Sequence, residues 1–401
     1  MKRKVGVMTV LARVLVLVLV CSLMTACGDA DGDNDAAQPG DMVDEAPDEG
    51  SDDEDDTDDE QDEDDEEDED DADDEDDEED GMEGGDSPPP LALEPSQAPI
   101  ELPQGAEFYE DVFYGDSELN TFDIMVPDTD EPTPLVVYIH GGGFTGGDKQ
   151  SVYPRYEEEI VRWLDEGIAV ATINYRLLVE NDDTGVIKPL GDSRYCLQFM
   201  RYHAESLNID PTRVALFGGS AGAGTSLWLG ANDDMADADA EDPVERMSTR
   251  VSAVAIFATQ GTYDIVRWET DVFDEFGITL ELLLMVAPEM ASTLQSFYGL
   301  GELSPEETLE ALERPDVAQY RASVDMLSLL DPTDPPVRIE SNGTDARPSD
   351  IGGLYHHPNH GREVRQAALD ADVEVFANLP RIDIVDDELP SLGDFMSDRL
   401  R

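Results

Sequence analysis

The chain is poor in the residues that crosslink a fold or balance its charge. Among 401 residues there are 3 cysteines, and only Cys196 follows Cys27. If the residues before Cys27 are removed and Cys27 is modified, no intrachain disulfide can form, so the fold must rest on a hydrophobic core. Lysine and arginine number 24 against 96 aspartates and glutamates, which gives a formal net charge of −72. This charge argues against nucleic acid, or any other polyanion, as a partner.

The acidity is divided between one dense block and the rest of the chain. Residues 29–86 contain 37 of the 96 acidic residues and no lysine or arginine. Such a segment has little to bury and repels itself, so we expect residues 28–90 to form a disordered, extended tether. Residues 87–401 contain the other 59 acidic residues and 20 basic ones, a net charge of −39. Screening by salt relieves such repulsion, which favours a saline environment.

The first residues have the pattern of a secretion signal. Lys2, Arg3 and Lys4 precede an apolar stretch, residues 14–24, that is too short to span a bilayer. The stretch leads into Thr25-Ala26-Cys27, which resembles a bacterial lipobox. We therefore expect residues 1–27 to be a lipoprotein signal peptide and Cys27 to become the lipidated N terminus of a membrane-anchored, cell-envelope protein. An ordinary cleaved signal peptide and a membrane-spanning anchor are the alternatives.

Two glycine-rich runs each follow an apolar run directly. His140-Gly141-Gly142-Gly143-Phe144 comes after residues 135–139, and Gly218-Gly219-Ser220-Ala221-Gly222 comes after residues 214–217. The second is a G-x-S-x-G sequence, a sharp strand-to-helix turn that exposes a serine hydroxyl. The first offers bare backbone N–H groups to the oxyanion that forms when an ester carbonyl is attacked.

The pair of motifs predicts acyl transfer, which needs neither a cofactor nor a metal. The residues assigned to it are the nucleophile Ser220 and three oxyanion donors, namely Gly142, Gly143 and Ala221.

Apolar runs alternate with helical patterns along residues 91–401, which predicts an α/β domain built on a mostly parallel sheet. Between residues 261 and 335 the pattern is mostly helical. We expect this segment to be a cap-like insertion that selects the substrate. The acidic segment 233–242 is interpreted as a solvated loop, with a cation site as the alternative.

These motifs and their neighbours resemble the α/β-hydrolase carboxylesterases, especially the hormone-sensitive-lipase-like and feruloyl-esterase-like branches. Similar stretches run from about Asn120 to Asp345 and include Asn174-Tyr175-Arg176 and an Asp192 that opens a helix. The resemblance implies the α/β-hydrolase fold and a serine hydrolase that acts on small-molecule esters. The chain departs from the family at Gly219, where aspartate is usual.

By the same resemblance, the acid of the catalytic triad follows the seventh strand. Asp345 is the first candidate there and Asp350 is close behind, while Asp264, after the sixth strand, is a third. The histidine usually follows the eighth strand, but no histidine follows His360 in this chain.

The base must therefore come from an earlier loop. Loops after parallel strands open at one edge of the sheet, so a histidine after the seventh strand can still reach Ser220. We favour His357, because Pro358 fixes the backbone beside it, and place His356 next and His360 third. If none of them serves, the chain is a catalytically weak or inactive protein of this fold that binds or scaffolds.

Overall fold

The computed structural model describes residues 88–401. The predicted signal peptide, the lipidation site Cys27 and nearly all of the predicted tether lie outside the described residues. Within residues 88–401, no helix has the length and apolar character needed to cross a membrane.

A nine-stranded sheet organises the described part of the chain. The strand order is β1-β2-β4-β3-β5-β6-β7-β8-β9. The pairs from β4 to β8 are parallel, whereas β1, β2 and β9 join antiparallel at the two edges. The strands are Glu107–Phe113 (β1), Thr121–Val126 (β2), Thr133–Ile139 (β3), Ala169–Ile173 (β4), Ile209–Gly219 (β5), Ala253–Phe257 (β6), Val337–Glu340 (β7), Val375–Leu379 (β8) and Ile384–Val385 (β9).

Helices connect the strands and cover both faces of the sheet. Two of them, α1 and α12, pack on one face, and α2, α4 and α11 pack on the other. The helices are Tyr153–Asp165 (α1), Ile187–Tyr202 (α2), Ala204–Leu207 (α3), Ala221–Ala231 (α4), Leu280–Val286 (α5), Met290–Tyr298 (α6), Pro305–Leu312 (α7), Pro315–Ser323 (α8), Met326–Leu329 (α9), Ile351–Tyr355 (α10), Pro358–Asp370 (α11) and Leu392–Leu400 (α12).

The core follows from the alternation of side chains along buried strands. In β3, Val137 and Ile139 belong to the hydrophobic cluster between the sheet and helices α2, α4 and α11. Val136 and Tyr138 belong to the cluster on the other face, between the sheet and helices α1 and α12. Every residue of β3 is buried, as expected for a central parallel strand that is covered on both sides. The continuous apolar runs of the sequence are therefore explained by the two covered faces.

The segment between β6 and β7 has a hydrophobic core of its own. Trp268, Phe273, Leu284, Leu294 and Leu312 are among its buried members. Leu354, in α10, belongs to the same cluster, so this segment packs against the loop that carries the predicted base. The helices α5 to α9 all lie in this segment.

One local expectation needs correction. Asp192 does not open its helix, because α2 begins at Ile187; instead its buried carboxylate accepts hydrogen bonds from the backbone and guanidinium of Arg176. Among the described residues 88–401, no group of three or more potential ligands is placed to hold an ion, so the cation alternative for segment 233–242 gains no support. In that segment Asp242 accepts a hydrogen bond from Tyr195 at 2.6 Å.

Candidate active site

The turn between β5 and α4 holds Ser220 in a strained conformation. Ser220 has φ 54° and ψ −121°, a backbone region that residues other than glycine seldom adopt. Its N–H donates to the carbonyl of Phe257 on the neighbouring strand at 2.9 Å. The turn therefore projects the serine side chain from the carboxyl edge of the sheet, as the G-x-S-x-G pattern predicts.

Glycines on either side of the serine let this turn lie against β3. A Cβ on Gly218 would overlap the backbone of Gly222 and the carbonyl of Ile139, and a Cβ on Gly222 would overlap the same carbonyl. Ala221 is the first residue of α4, so its N–H has no acceptor within the helix. It is thus free to bind an oxyanion beside Ser220.

The loop after β3 brings further backbone donors to the serine. Gly142 and Gly143 have φ values of 115° and 60°, which glycine adopts without strain. Within residues 88–401, the N–H groups of both glycines lack a hydrogen-bond acceptor. Gly143 and Ala221 line the same cavity as Ser220.

His140 and Tyr175 brace the oxyanion loop from behind. Nδ1 of His140 donates to the carbonyl of Gly141 at 2.7 Å, and the Tyr175 hydroxyl donates to the carbonyl of His140 at 2.8 Å. The two rings are stacked with their centroids 4.2 Å apart. Burial lowers the pKa of His140 below its ordinary value, so the ring is neutral and its role is to support the loop.

The structure brings His356 to the serine. Nε2 of His356 lies 2.8 Å from Oγ of Ser220, within the range for proton transfer between a nucleophile and its base. Burial lowers the pKa of His356 from its ordinary value of 6.5. The imidazole is therefore neutral near pH 7 and able to accept the serine proton.

His357, which the sequence favours as the base, does not lie at the serine in this structure; His356 does. His357 is the N-cap of α11, and its Nδ1 accepts a hydrogen bond from the N–H of Asn359 at 3.2 Å. Its ring is buried against Phe273 and Phe276, in the insertion. Pro358 occupies the first position of the helix and restricts His357 to the extended backbone of an N-cap (φ −61°, ψ 134°), and the His357 ring is engaged at the helix start and not with Ser220.

Two buried side chains clamp the backbone just before His356. The side-chain amide of Gln260 donates to the carbonyl of Tyr355 at 2.9 Å. Nδ1 of His360 accepts the N–H of Gly261 at 3.2 Å, and its Nε2 lies 2.9 Å from the carbonyl of Leu354. Burial lowers the pKa of His360 to about 3, so this ring stays neutral and keeps both bonds. The loop after β6 thus holds the segment that carries His356.

Sequence reasoning does not identify Gln260 as a residue that holds the backbone before His356. The available signal was its position, three residues after the end of β6 at the carboxyl edge of the sheet, where polar residues are often functional.

Among residues 88–401, no acid completes the pair. In the described part of the chain, no carboxylate forms a hydrogen bond or ion pair with His356. Asp345 is exposed in the loop after β7. Asp350 accepts the N–H of Gly353 as the N-cap of α10, and Asp264 is paired with the guanidinium of Arg321 at 2.7 Å. Each candidate acid is therefore solvated or engaged elsewhere.

A cavity of about 270 Å³ opens directly onto Ser220. None of its lining residues is charged, although residues 87–401 carry a net charge of −39. Aromatic and aliphatic side chains from the insertion line a large part of its wall, among them Tyr263, Trp268, Leu294 and Phe297. An apolar cavity of about 150 Å³ is enough to hold benzene, so this one accommodates a larger neutral group.

Comparisons with known proteins agree with this geometry. The family model described as BD-FAE matches residues 122–295, which contain both glycine-rich runs. Gut esterase 1 of Caenorhabditis elegans is 30% identical over 122 residues, covering 29% of this chain and 21% of the relative. A probable isoprenylcysteine alpha-carbonyl methylesterase of Arabidopsis thaliana is 25% identical over 197 residues, covering 49% of this chain and 38% of the relative. The chain thus spans well under half the length of these relatives.

A solved structure of a bifunctional GH43-CE protein from Bacteroides eggerthii superposes with a TM-score of 0.50. It is 20% identical and covers 73% of this chain and 38% of that one. The protein has the α/β-hydrolase fold. The predicted fold class is confirmed, and the relatives of this α/β-hydrolase named above are esterases. In the α/β-hydrolase, the histidine beside Ser220 lies in the segment between β7 and α11 and not in the region after β8.

Proposed function

We propose that the protein hydrolyses carboxylic esters through an acyl-enzyme intermediate on Ser220. The observation that carries the proposal is the 2.8 Å separation between Oγ of Ser220 and Nε2 of His356. The strained turn, the free N–H groups and the uncharged cavity at the same place support it further.

In the first half of the reaction, Oγ of Ser220 attacks the ester carbonyl carbon while His356 accepts the hydroxyl proton. The carbonyl oxygen becomes an oxyanion, which the N–H groups of Gly142, Gly143 and Ala221 bind. The bond between carbon and the alkoxy oxygen then breaks, and the alcohol leaves with the proton from His356. Water, activated by His356, attacks the acyl-enzyme in the second half and releases the carboxylic acid and Ser220.

Substituting the nucleophile tests the proposal. The Ser220→Ala variant should lose turnover of p-nitrophenyl acetate and labelling by a fluorophosphonate probe, with its thermal unfolding unchanged. Ser226→Ala is the matched control, because Ser226 lies on the same helix and donates only to the carbonyl of Gly222. Equal turnover in the Ser220→Ala variant and the wild type would exclude this mechanism.

The lack of a carboxylate beside His356 in residues 88–401 favours a second function. Without a carboxylate on Nδ1, nothing fixes the tautomer of His356, and loss of that carboxylate lowers kcat by about 10⁴ in serine proteases. The chain would then be a catalytically weak or inactive protein that binds an apolar ligand in the same cavity. An unlabelled Ser220 in the wild-type protein, after treatment with the fluorophosphonate, would favour this alternative.

We further propose that the hydrolase is tethered to a cell-envelope membrane by a lipid on Cys27. The motives are the basic N terminus, the short apolar stretch and the small residues before Cys27. More than one lipid chain gives stable anchoring, because each buried CH₂ contributes about 0.8 kcal/mol. Mass spectrometry of the native protein should find a lipid-modified Cys27, and Cys27→Ser should move the protein out of the membrane fraction.

A further inference from the structure

A second apolar groove lies beside the serine cavity. Its volume is about 60 Å³, and it lies between α5 and the loop that leads into α10. Ile278, Leu282, Val286 and Ala287 line this outer groove but not the serine cavity. The two cavities have four apolar residues in common, namely Leu283, Met290, Ile351 and Leu354.

These four residues form a partition that is built from side chains able to rearrange. Leucine, isoleucine and methionine have rotatable apolar side chains, and methionine in particular adapts its shape to its neighbours. Leu283 is only partly buried, and Ile351 is 48% exposed. A shift of these side chains would join the two spaces into one continuous apolar channel.

The charges around the channel favour a neutral occupant. Arg347 and Asp350 are the charged residues that line the outer groove. Arg347 donates to the carbonyl of Phe276 at 2.6 Å, and Asp350 accepts the N–H of Gly353 at 2.6 Å. Both charges are therefore engaged with the protein backbone, and the remaining lining offers apolar contact.

We propose that the outer groove binds the far end of a long, unbranched acyl chain. The inference rests on the proposed function, because the acyl group is the part of the ester that stays attached to Ser220. The alcohol has to leave before water attacks, so a site behind a partition suits the acyl chain better than the alcohol. The substrate class is thus esters of long-chain aliphatic acids.

A chain-length series tests the subsite. For p-nitrophenyl acetate, butyrate, octanoate and dodecanoate, kcat/KM should keep rising to the longest esters, since each methylene moved into an apolar site is worth about fourfold. The Val286→Trp variant should leave acetate and butyrate turnover within about twofold and lower that of dodecanoate at least about tenfold. Val286→Phe, a smaller change at a partly exposed position, should lower dodecanoate turnover less.

Met285→Trp is the matched control, because Met285 is on the same helix, is 61% exposed and lines neither cavity. It should leave the whole series unchanged. An equal loss for all esters in the Val286 variants, or an unchanged series, would overturn the subsite. Dodecyl acetate, assayed beside the series, carries the long chain on the alcohol; a loss confined to it would assign the groove to the alcohol and overturn the acyl assignment.

Binding separates the subsite from catalysis. In the Ser220→Ala variant, calorimetry should show tighter binding of methyl decanoate than of methyl butyrate, and adding Val286→Trp should remove that difference. This pattern without turnover in the wild type would refute ester hydrolysis and support the subsite. Equal binding of the two esters in the Ser220→Ala variant would refute the subsite, whatever the turnover.

Discussion

At the scale of single residues, two adjacent histidines have different surroundings. His356 faces Ser220, whereas His357 caps α11 and contacts the aromatic rings of the insertion. We predict that His356→Ala lowers kcat for p-nitrophenyl acetate by about 10³-fold or more, as loss of a catalytic base does. His357→Asn should stay close to wild type, because asparagine is also a good N-cap. A large loss in the His357→Asn variant with an intact fold would restore His357 as the base.

The buried position of His356 also sets the pH dependence. Its pKa is lowered from 6.5 by burial, so the neutral, proton-accepting form persists below pH 6.5. We predict that kcat/KM falls on the acid side with an apparent pKa below 6.5, since this profile reports the free enzyme. The same shift means that the unfolded chain binds protons more readily, so stability is lost as pH falls below 6.5. An acid limb at pH 7 or above would contradict the assignment.

At the scale of elements, the sequence predicts the sheet better than the loops. The runs at residues 135–139 and 214–217 are buried on both sides, so their strands can be predicted from composition alone. The conformation of Ser220 and the glycine contacts follow from the motif. The choice between His356 and His357 could not be predicted, because it depends on how the insertion packs beside α10. In the sequence, Pro358 favours His357 as the base. In the structure, Pro358 begins α11, and His357 before it is therefore the N-cap of that helix.

At the same scale, the hydrogen bond from Gln260 to the loop before His356 can be tested. Gln260→Leu keeps the side-chain volume but removes the bond to the carbonyl of Tyr355. We predict a fall of about 10- to 100-fold in kcat with a smaller change in KM, because a misplacement of about 1 Å can cost 10²-fold.

The control for this variant is Gln295→Leu. Gln295 is a buried glutamine that bonds the carbonyl of Leu303 and does not line the serine cavity. A similar loss of kcat in both variants would show that the loss comes from a less stable fold and not from a misplaced His356.

At the scale of the whole molecule, the balance of charge is the dominant feature. Residues 87–401 carry a net charge of −39, and most of the cationic side chains in the described part already form ion pairs with carboxylates. The pair between Lys149 and Asp123 is buried, at 2.9 Å, whereas that between Arg401 and Asp398 is on the surface. The surplus carboxylates are left to repel one another across the surface, which destabilises the compact state.

Salt should therefore stabilise the folded protein. The Debye length falls from about 30 Å at 0.01 M to about 3 Å at 1 M salt, which removes repulsion between surface carboxylates. We predict that Tm rises by about 2 °C or more over this range in sodium chloride and levels off above about 1 M, where screening is already complete. Potassium chloride at the same ionic strength should act equally, because screening does not depend on the identity of the cation. A Tm that is flat or falls with salt would show that the surface carboxylates are not in net repulsion. A steady linear rise beyond 1 M would instead indicate exclusion of salt from the protein surface.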